Sequence, residues 1–226
     1  MSISRKDFKN DLIYDQILKK FKKKDKLKNL FKKELTKEEI ANMKSLDIDN
    51  FGVINNLNFL SFFKELKEID FENGEIRDLE NLVNLENLKS LWFEDICFKT
   101  ELPILNIESL MIENCIGFSL NYDFLRESKN LKSLYLVGID EEINLDKLLN
   151  VCPNLKTLYI NETSFDKNTL NSLLSFNDLE KLSISYLNKE NIELIKELSK
   201  KGIEIELYDY DEFIMKEFEH DENVYM

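Results

Sequence analysis

The stretch Leu79-Glu80-Asn81-Leu82-Val83-Asn84-Leu85-Glu86-Asn87-Leu88-Lys89-Ser90-Leu91, running on into Trp92 and Phe93, carries the spacing that decides the fold. Its last part is an L-x-x-L-x-L pattern written as Leu88, Leu91 and Phe93, with Ile96 and Phe98 behind. Upstream the pattern returns as Leu66, Ile69 and Phe71 with Asn73, Gly74 and Ile76, and before that as Met43, Leu46 and Ile48 with Phe51 and Val53. Downstream it continues through Ile107-Leu110-Ile112, Leu131-Leu134-Leu136, Leu155-Leu158-Ile160 and Leu179-Leu182-Ile184. An eighth unit is degenerate: Gly202 stands first, followed by Ile205 and Leu207. Unit starts at 43, 66, 88, 107, 131, 155, 179 and 202 give a period of about 23 residues, within the range of stacked repeats.

Alternation explains the pattern. In an extended L-x-L segment the two apolar side chains point to one face and the middle residue to the other. A single unit cannot bury its apolar edge, so neighbours stack into one continuous core. The linking segments show helical spacing at Leu57, Leu60 and Phe63, at Leu145, Leu148 and Leu149, at Leu170, Leu173 and Leu174, and at Ile192, Ile195 and Leu198. These predict short helices with their apolar face inward. Eight strands about 4.8 Å apart make a sheet on the order of 35 Å long.

Leu79–Leu91 and Cys152-Pro153-Asn154-Leu155-Lys156-Thr157-Leu158 resemble units of the leucine-rich repeat family, and the resemblance covers residues 43–210. It implies an α/β solenoid, a right-handed curved superhelix with a concave parallel β-sheet and short convex helices. The unit from Ile107 is short at its start. The asparagine of the ninth place is replaced by Phe51, Gly74, Ile96, Cys115, Ile139, Thr163 and Leu187.

Three domains follow: a basic helical N-terminal cap over 1–42, the solenoid over 43–210 and an acidic C-terminal cap or tail over 211–226. Phe8, Leu12, Ile13, Ile17 and Phe21 recur at helical spacing, a lysine run spans Lys19 to Lys28, and Leu27, Leu30, Phe31 and Leu35 follow. Thr36-x-x-Glu39 fits a capping box. At the other end Phe213, Ile214 and Phe218 suit a closing turn, and residues from about His220 are expected to fray.

The net charge of −13 is unevenly spread. Residues 1–42 carry 13 Lys/Arg against 7 Asp/Glu, and the remainder carries 18 against 37. So acidic a body repels nucleic acid and attracts basic partners. The basic segment is either a solvated cap face, a contact with nucleic acid or an anionic membrane, or a clamp onto the acidic body; without glycine or interleaved aromatics, nucleic acid is not expected. With 43% hydrophobic and 11% aromatic residues the chain folds, and with only 5 Gly and 2 Pro it is not a sandwich of tight hairpins. No apolar run reaches the ~20 residues of a membrane span, and Met1–Asp7 shows no apolar leader. Cys97, Cys115 and Cys152, odd in number, read as reduced thiols, so the expected compartment is cytoplasmic.

Chemistry-bearing motifs are lacking. His220 is the one histidine and sits near the end, where nothing orients a Ser-His or Cys-His pair. There is no C-x-x-C, H-E-x-x-H or phosphate-cradling glycine loop, so neither catalysis, metal nor cofactor is expected. Cys115 and Cys152 fall at packing places.

The register identifies the surface to examine. The middle residue of L-x-L is Asp47, Asp70, Trp92, Met111, Tyr135, Tyr159, Ser183 and Glu206 in turn. Two places on stand Asp49, Glu72, Glu94, Glu113, Val137, Asn161, Ser185 and Tyr208. An aromatic centre flanked by carboxylates is the mark of a protein interface, here for a partner with a basic surface. The expected site is Trp92, Met111, Tyr135, Tyr159, Asp47, Asp70, Glu72, Glu94, Glu113 and Tyr208, in a non-enzymatic module that engages a partner protein through the concave face of the sheet, an inhibitor or immunity-type protein being one form such a module takes. The alternative is an adaptor whose basic N-terminal helices dock a second partner. Self-association is left open by the sequence.

Overall fold

The computed structural model describes residues 2–24, 34–208, 218 and 221–225. β3 (Ser45–Ile54), β4 (Glu68–Ile76), β5 (Ser90–Phe98), β6 (Ser109–Glu113), β7 (Ser133–Val137), β8 (Thr157–Ile160), β9 (Lys181–Ser185) and β10 (Glu204–Tyr208) form one parallel sheet, laid down in chain order. These are the eight units read from the sequence. At the first and third places of each L-x-L stand Leu46/Ile48, Ile69/Phe71, Leu91/Phe93, Leu110/Ile112, Leu134/Leu136, Leu158/Ile160, Leu182/Ile184 and Ile205/Leu207, and all are buried. Along the core runs a file of rings, Phe51–Phe71–Phe93–Phe98–Phe118–Phe124, with successive centroids 4.9–6.1 Å apart.

Each strand leaves the sheet by the same turn. Asn50, Asn73, Asp95, Asn114, Gly138, Glu162 and Tyr186 hold the eighth place of their units, and each has φ between 49° and 59°. That left-handed conformation costs an ordinary L-residue about 1–2 kcal/mol, and Gly, Asn and Asp adopt it most readily. Five of the seven are of those types; Glu162 and Tyr186 are not. The ninth place then turns inward. Phe51, Ile96, Cys115, Ile139, Thr163 and Leu187 are all buried. Thr163 Oγ1 accepts from Ile139 N at 3.1 Å and donates toward Leu136 O at 3.3 Å, tying two units together.

The connections match the expected helices in place but not always in kind. Leu145–Val151 (α4 below) and Ile192–Lys200 are α-helical, whereas Asn58–Phe62 and Lys167–Ser175 are 3-10 helices, as are Glu80–Asn84 and Asp123–Leu125. The unit beginning at Leu88 has no room for either, and residues 101–107 carry no regular structure. There the buried Ser128 hydroxyl donates to Leu105 O (2.8 Å) and accepts from Ile107 N (3.2 Å), doing for this segment what a helix does elsewhere. Gly202, φ 81°, ends the last helix and contributes no side chain to the core.

At the front, β1 (Ser2–Ile3) pairs antiparallel with β2 (Leu35–Thr36), and the Tyr14 hydroxyl donates to Ile3 O at 3.0 Å. The apolar series read at helical spacing falls on two helices, α1 (Arg5–Phe8) and α2 (Asp11–Lys24), broken at Lys9 (φ 53°). The break resets the helical phase. Ile13, Tyr14 and Ile17 are buried, while Leu12, expected inside, is 53% exposed. Phe8 stacks on Phe59 at 5.5 Å, joining α1 to the connection that follows β3. The capping box at Thr36 and Glu39 forms as expected and opens α3 (Lys37–Ala41). Leu27, Leu30 and Phe31 lie outside the described residues, as does the lysine run beyond residue 24.

At the open edge of β3 a side chain stands in for a strand at Asp49. The Gln16 amide donates to Asp49 O and accepts from Asp49 N (3.0 Å), taking the place of a neighbouring strand. One turn on, Lys20 ion-pairs with Asp47. At the far edge the expectation of fraying is wrong: β11 (Val224–Tyr225) pairs in parallel with β10, Val224 against Ile205 and Tyr225 against Glu206, and Val224 is buried. The sheet therefore has nine strands among the described residues. Phe213 and Ile214 of the expected closing turn lie outside them; Phe218 is buried. The two remaining α-helices are α4 (Leu145–Val151) and α5 (Ile192–Lys200).

Candidate binding face

The strand register sets three rows of outward side chains across the open face of the sheet. In the middle row Asp47, Asp70, Trp92, Met111, Tyr135 and Tyr159 are successive cross-strand neighbours. Trp92 is 41% exposed; Met111, Tyr135 and Tyr159 are half-buried between their neighbours. Tyr135 and Tyr159 are in ring contact, with centroids 4.6 Å apart. The second row, Asp49, Glu72, Glu94, Glu113 and Val137, follows the same register. A third row, Ser90, Ser109, Ser133 and Thr157, lines the near side with hydroxyls.

Two residues placed outward by the register are in fact buried. Ser183 and Ser185 have no exposed surface, because small side chains on β9 sink between larger neighbours. Asn161 Nδ2 donates to Ser183 Oγ at 2.8 Å, Ser185 Oγ donates to Asn161 Oδ1 at 3.3 Å and accepts from Glu162 N at 3.2 Å. This network holds the left-handed turn at Glu162. Beside it Lys181 lies 5.7 Å from the Tyr159 ring centroid and bridges Glu204 (2.8 Å) and Glu206 (2.6 Å). Those contacts hold the lysine's pKa well above its ordinary value. Tyr208 stands at the end of β10, half exposed, and Tyr225 on β11 is a ninth rung of the middle row that the sequence pattern missed.

The carboxylates crowd one another. Burial raises the Asp70 pKa, and the neighbouring charges of Asp47 and Glu72 push the same way. Asp49 is the main cause of the upward shift at Glu72; burial, then Glu113, raises Glu94. A basic row missed in the sequence borders the sheet on the other side. Lys44, Lys67, Lys89, Lys132 and Lys156 each hold the place just before a strand's first residue. Several are paired along it: Lys89 and Lys132 with Glu108, and Lys156 with Glu180.

Among solved structures the chain is similar to internalin C2 from Listeria monocytogenes, at 17% identity and a TM-score of 0.63, over 100% of this chain and 98% of that one. It is also similar to the internalin inlF of that organism, at 16% identity and a TM-score of 0.66, over 98% of this chain and 63% of that one. The fold is a leucine-rich-repeat solenoid. No protein-family model and no curated protein matches the sequence.

Among the described residues no group of three or more His, Cys, Asp or Glu is arranged to hold a metal ion. Burial pushes the Cys115 thiol up to about 11 and the Cys152 thiol up to about 12, so neither is a thiolate at neutral pH. A cleft of about 450 Å³ between Leu82, Val83, Ile104 and Ile107, with Glu86 and Glu127 in its lining, lies in the connections and includes none of the carboxylates of the strand rows. No helix among the described residues is long and apolar enough to cross a membrane.

Proposed function

We propose that this chain is a non-catalytic binding module that holds a partner protein against the concave face of its sheet. One observation carries the reading: Trp92, Met111, Tyr135 and Tyr159 occupy four successive rungs and stay accessible. Solenoids present such faces as extended binding surfaces, and aromatic side chains are the usual anchors there. Asp47, Asp70, Glu72, Glu94 and Glu113 suit a partner that is basic where it meets them. The small size and acidic body fit an inhibitor or immunity-type role in the cytoplasm, where Cys97, Cys115 and Cys152 stay reduced. Nucleic acid is disfavoured by the same carboxylates.

The adaptor alternative requires the N-terminal helices to be spare. Phe8, Ile13 and Ile17 are part of the one continuous core, which supports a cap instead. Deleting residues 1–35 should then lower stability rather than abolish recruitment alone.

The test is capture from lysate of the native organism, comparing wild type with a Trp92→Ala/Tyr135→Ala/Tyr159→Ala variant shown to be folded. A partner held by wild type and lost by the variant supports the reading. Equal capture by both places the site elsewhere and overturns it.

A further inference from the structure

The geometry points to a specific shape for the partner element: an amphipathic α-helix, basic over one part of its length and apolar over the rest, lying along the stacking axis of the sheet. The inference rests on the concave-face reading above and says what kind of segment that face accepts.

Width comes first. Outward side chains two residues apart along a strand are about 6.8 Å apart, so the three rows span roughly 14 Å. An α-helix with its side chains is about 10–12 Å across and fills that width.

Spacing comes next. Rungs repeat about every 4.8 Å. A helix turn rises about 5.4 Å, so over four rungs a helix drifts by only about 2 Å, within the reach of a lysine side chain. An extended peptide running the same way offers same-side residues every ~6.8 Å and drifts by about 6 Å over four rungs. The helix keeps register where a strand loses it.

Charge then fixes the pattern along the helix. Over β3 and β4 the face presents Asp47, Asp49, Asp70 and Glu72. Over β5 and β6 Glu94 and Glu113 flank Trp92 and Met111. Over β7 and β8 Tyr135, Val137 and Tyr159 carry no charge. The complement has Lys or Arg at i, i+4 and i+7 on its facing stripe, followed by apolar residues at the same spacing. Six strands cover about 24 Å, which a helix of roughly 16 residues spans. The molecule already engages this row with a helical cation: Lys20, on α2, pairs with Asp47 at its margin. Mutual repulsion among Asp49, Glu72, Glu94 and Glu113 is what such a stripe of cations would relieve.

Trp92 is the single tryptophan of the chain and stands at the centre of the face, so its fluorescence reads occupancy directly. The probe is a synthetic 18-residue peptide without aromatic residues, carrying the lysine and leucine pattern just given. Two isomers of the same composition serve as comparisons, one with lysine and leucine alternating at period two and one scrambled. The helical design should shift Trp92 emission to the blue, gain helicity on binding, and bind at least about tenfold more tightly than either isomer. In Glu72→Gln/Glu94→Gln, which removes repulsion and so keeps its fold, affinity should drop about tenfold. A Lys44→Gln/Lys67→Gln variant should bind as wild type does. Equal binding of all three peptides would mean attraction by charge alone and would overturn the helical inference. Absence of any Trp92 response would overturn it too. In either case loss of the lysate partner by the triple aromatic variant would leave the concave-face reading standing, and equal capture would remove both.

Discussion

Gly74→Ala is a change of one methyl group, and the packing says it should be costly. Gly74 holds the ninth place of its unit, beside Gly52 and Ile96 in the sheet. A Cβ there would run into three atoms of the Phe51 ring. That ring is 1% exposed and sits edge-on to Phe71 at 5.9 Å, which itself stacks on Phe93 at 5.6 Å, so it has no space to retreat. Overpacking of this kind costs about 1–3 kcal/mol, against which alanine's smaller loss of chain entropy returns about 0.5–1 kcal/mol. The net expectation is a loss of about 1–2 kcal/mol. Phe51→Leu alone should cost a similar amount through lost burial. Together the two changes should cost clearly less than their sum, because the shorter side chain vacates the space that the new methyl needs. Equilibrium urea unfolding gives each midpoint, with an unchanged slope confirming that stability and not the unfolded state has moved. Gly52→Ala is the control: no atom lies within 4 Å of its Cβ, but its φ is 69°, so its cost is one of backbone conformation and Phe51→Leu should not rescue it. A Gly74→Ala midpoint at the wild-type value, or strict additivity with Phe51→Leu, would refute the steric account.

Ser128→Ala should lower stability by about 2 kcal/mol, since it leaves a buried carbonyl at Leu105 and a buried N–H at Ile107 without the hydroxyl that serves both; thermal unfolding should show a drop of several degrees, and an unchanged midpoint would mean the loop is held by other contacts. Asp70 and Glu94 have folded-state pKa values raised above those of the unfolded chain, so the stability they contribute is full below about pH 4 and is lost as pH rises through the folded values. Asp70→Asn/Glu94→Gln should therefore be more stable than wild type at pH 7, with the difference shrinking toward pH 4; a difference that grew on acidification would reverse the sign and the reasoning with it.

Much of the fold was legible because burial dictates it. A residue such as Leu91 or Leu134 has one place to go, and the L-x-L alternation records it. The outward row was legible for the same reason in mirror image: Trp92 and Tyr135 face out because their neighbours face in. What escaped depended on side-chain size and single hydrogen bonds. Ser183 and Ser185 obey the alternation, yet a hydroxymethyl group between Tyr159, Asn161 and Glu206 is covered whichever way it points. Leu12 shared its helical spacing with Phe8 until the left-handed residue at Lys9 broke the helix between them, and no periodicity can register one dihedral angle. Gln16 looks like any polar helical residue and stands in for a strand at a sheet edge. Val224-Tyr225 is too short to show a repeat, and only its partner strand reveals it. The eighth-place turns carried a usable signal in Asn50, Asn73, Asp95, Asn114 and Gly138, residue types that accept a positive φ.

The candidate face differs from the rest of the sheet in how its charges are treated. At several other rungs a charge has a counter-ion on a neighbouring strand or connection: Glu108 lies between Lys89 and Lys132, Glu180 meets Lys156, and Lys181 answers Glu204 and Glu206. Opposite charges on adjacent strands stabilise a sheet, and like charges on adjacent strands weaken it. Along Asp49, Glu72, Glu94 and Glu113 four like charges are stacked in succession, next to a row where Trp92 and Met111 keep apolar surface in water. Neither arrangement helps the solenoid fold. A lysine at Glu72 would pair with Asp49 on one side and Glu94 on the other, and a threonine at Trp92 would suit a half-exposed strand position better. Asn73 Nδ2 donates to both Asp49 and Glu72 at 3.2 Å, a neutral bridge where Glu108, Glu180 and Glu206 have a lysine, so this stretch beside Trp92 gives up the stability that an ion pair would add.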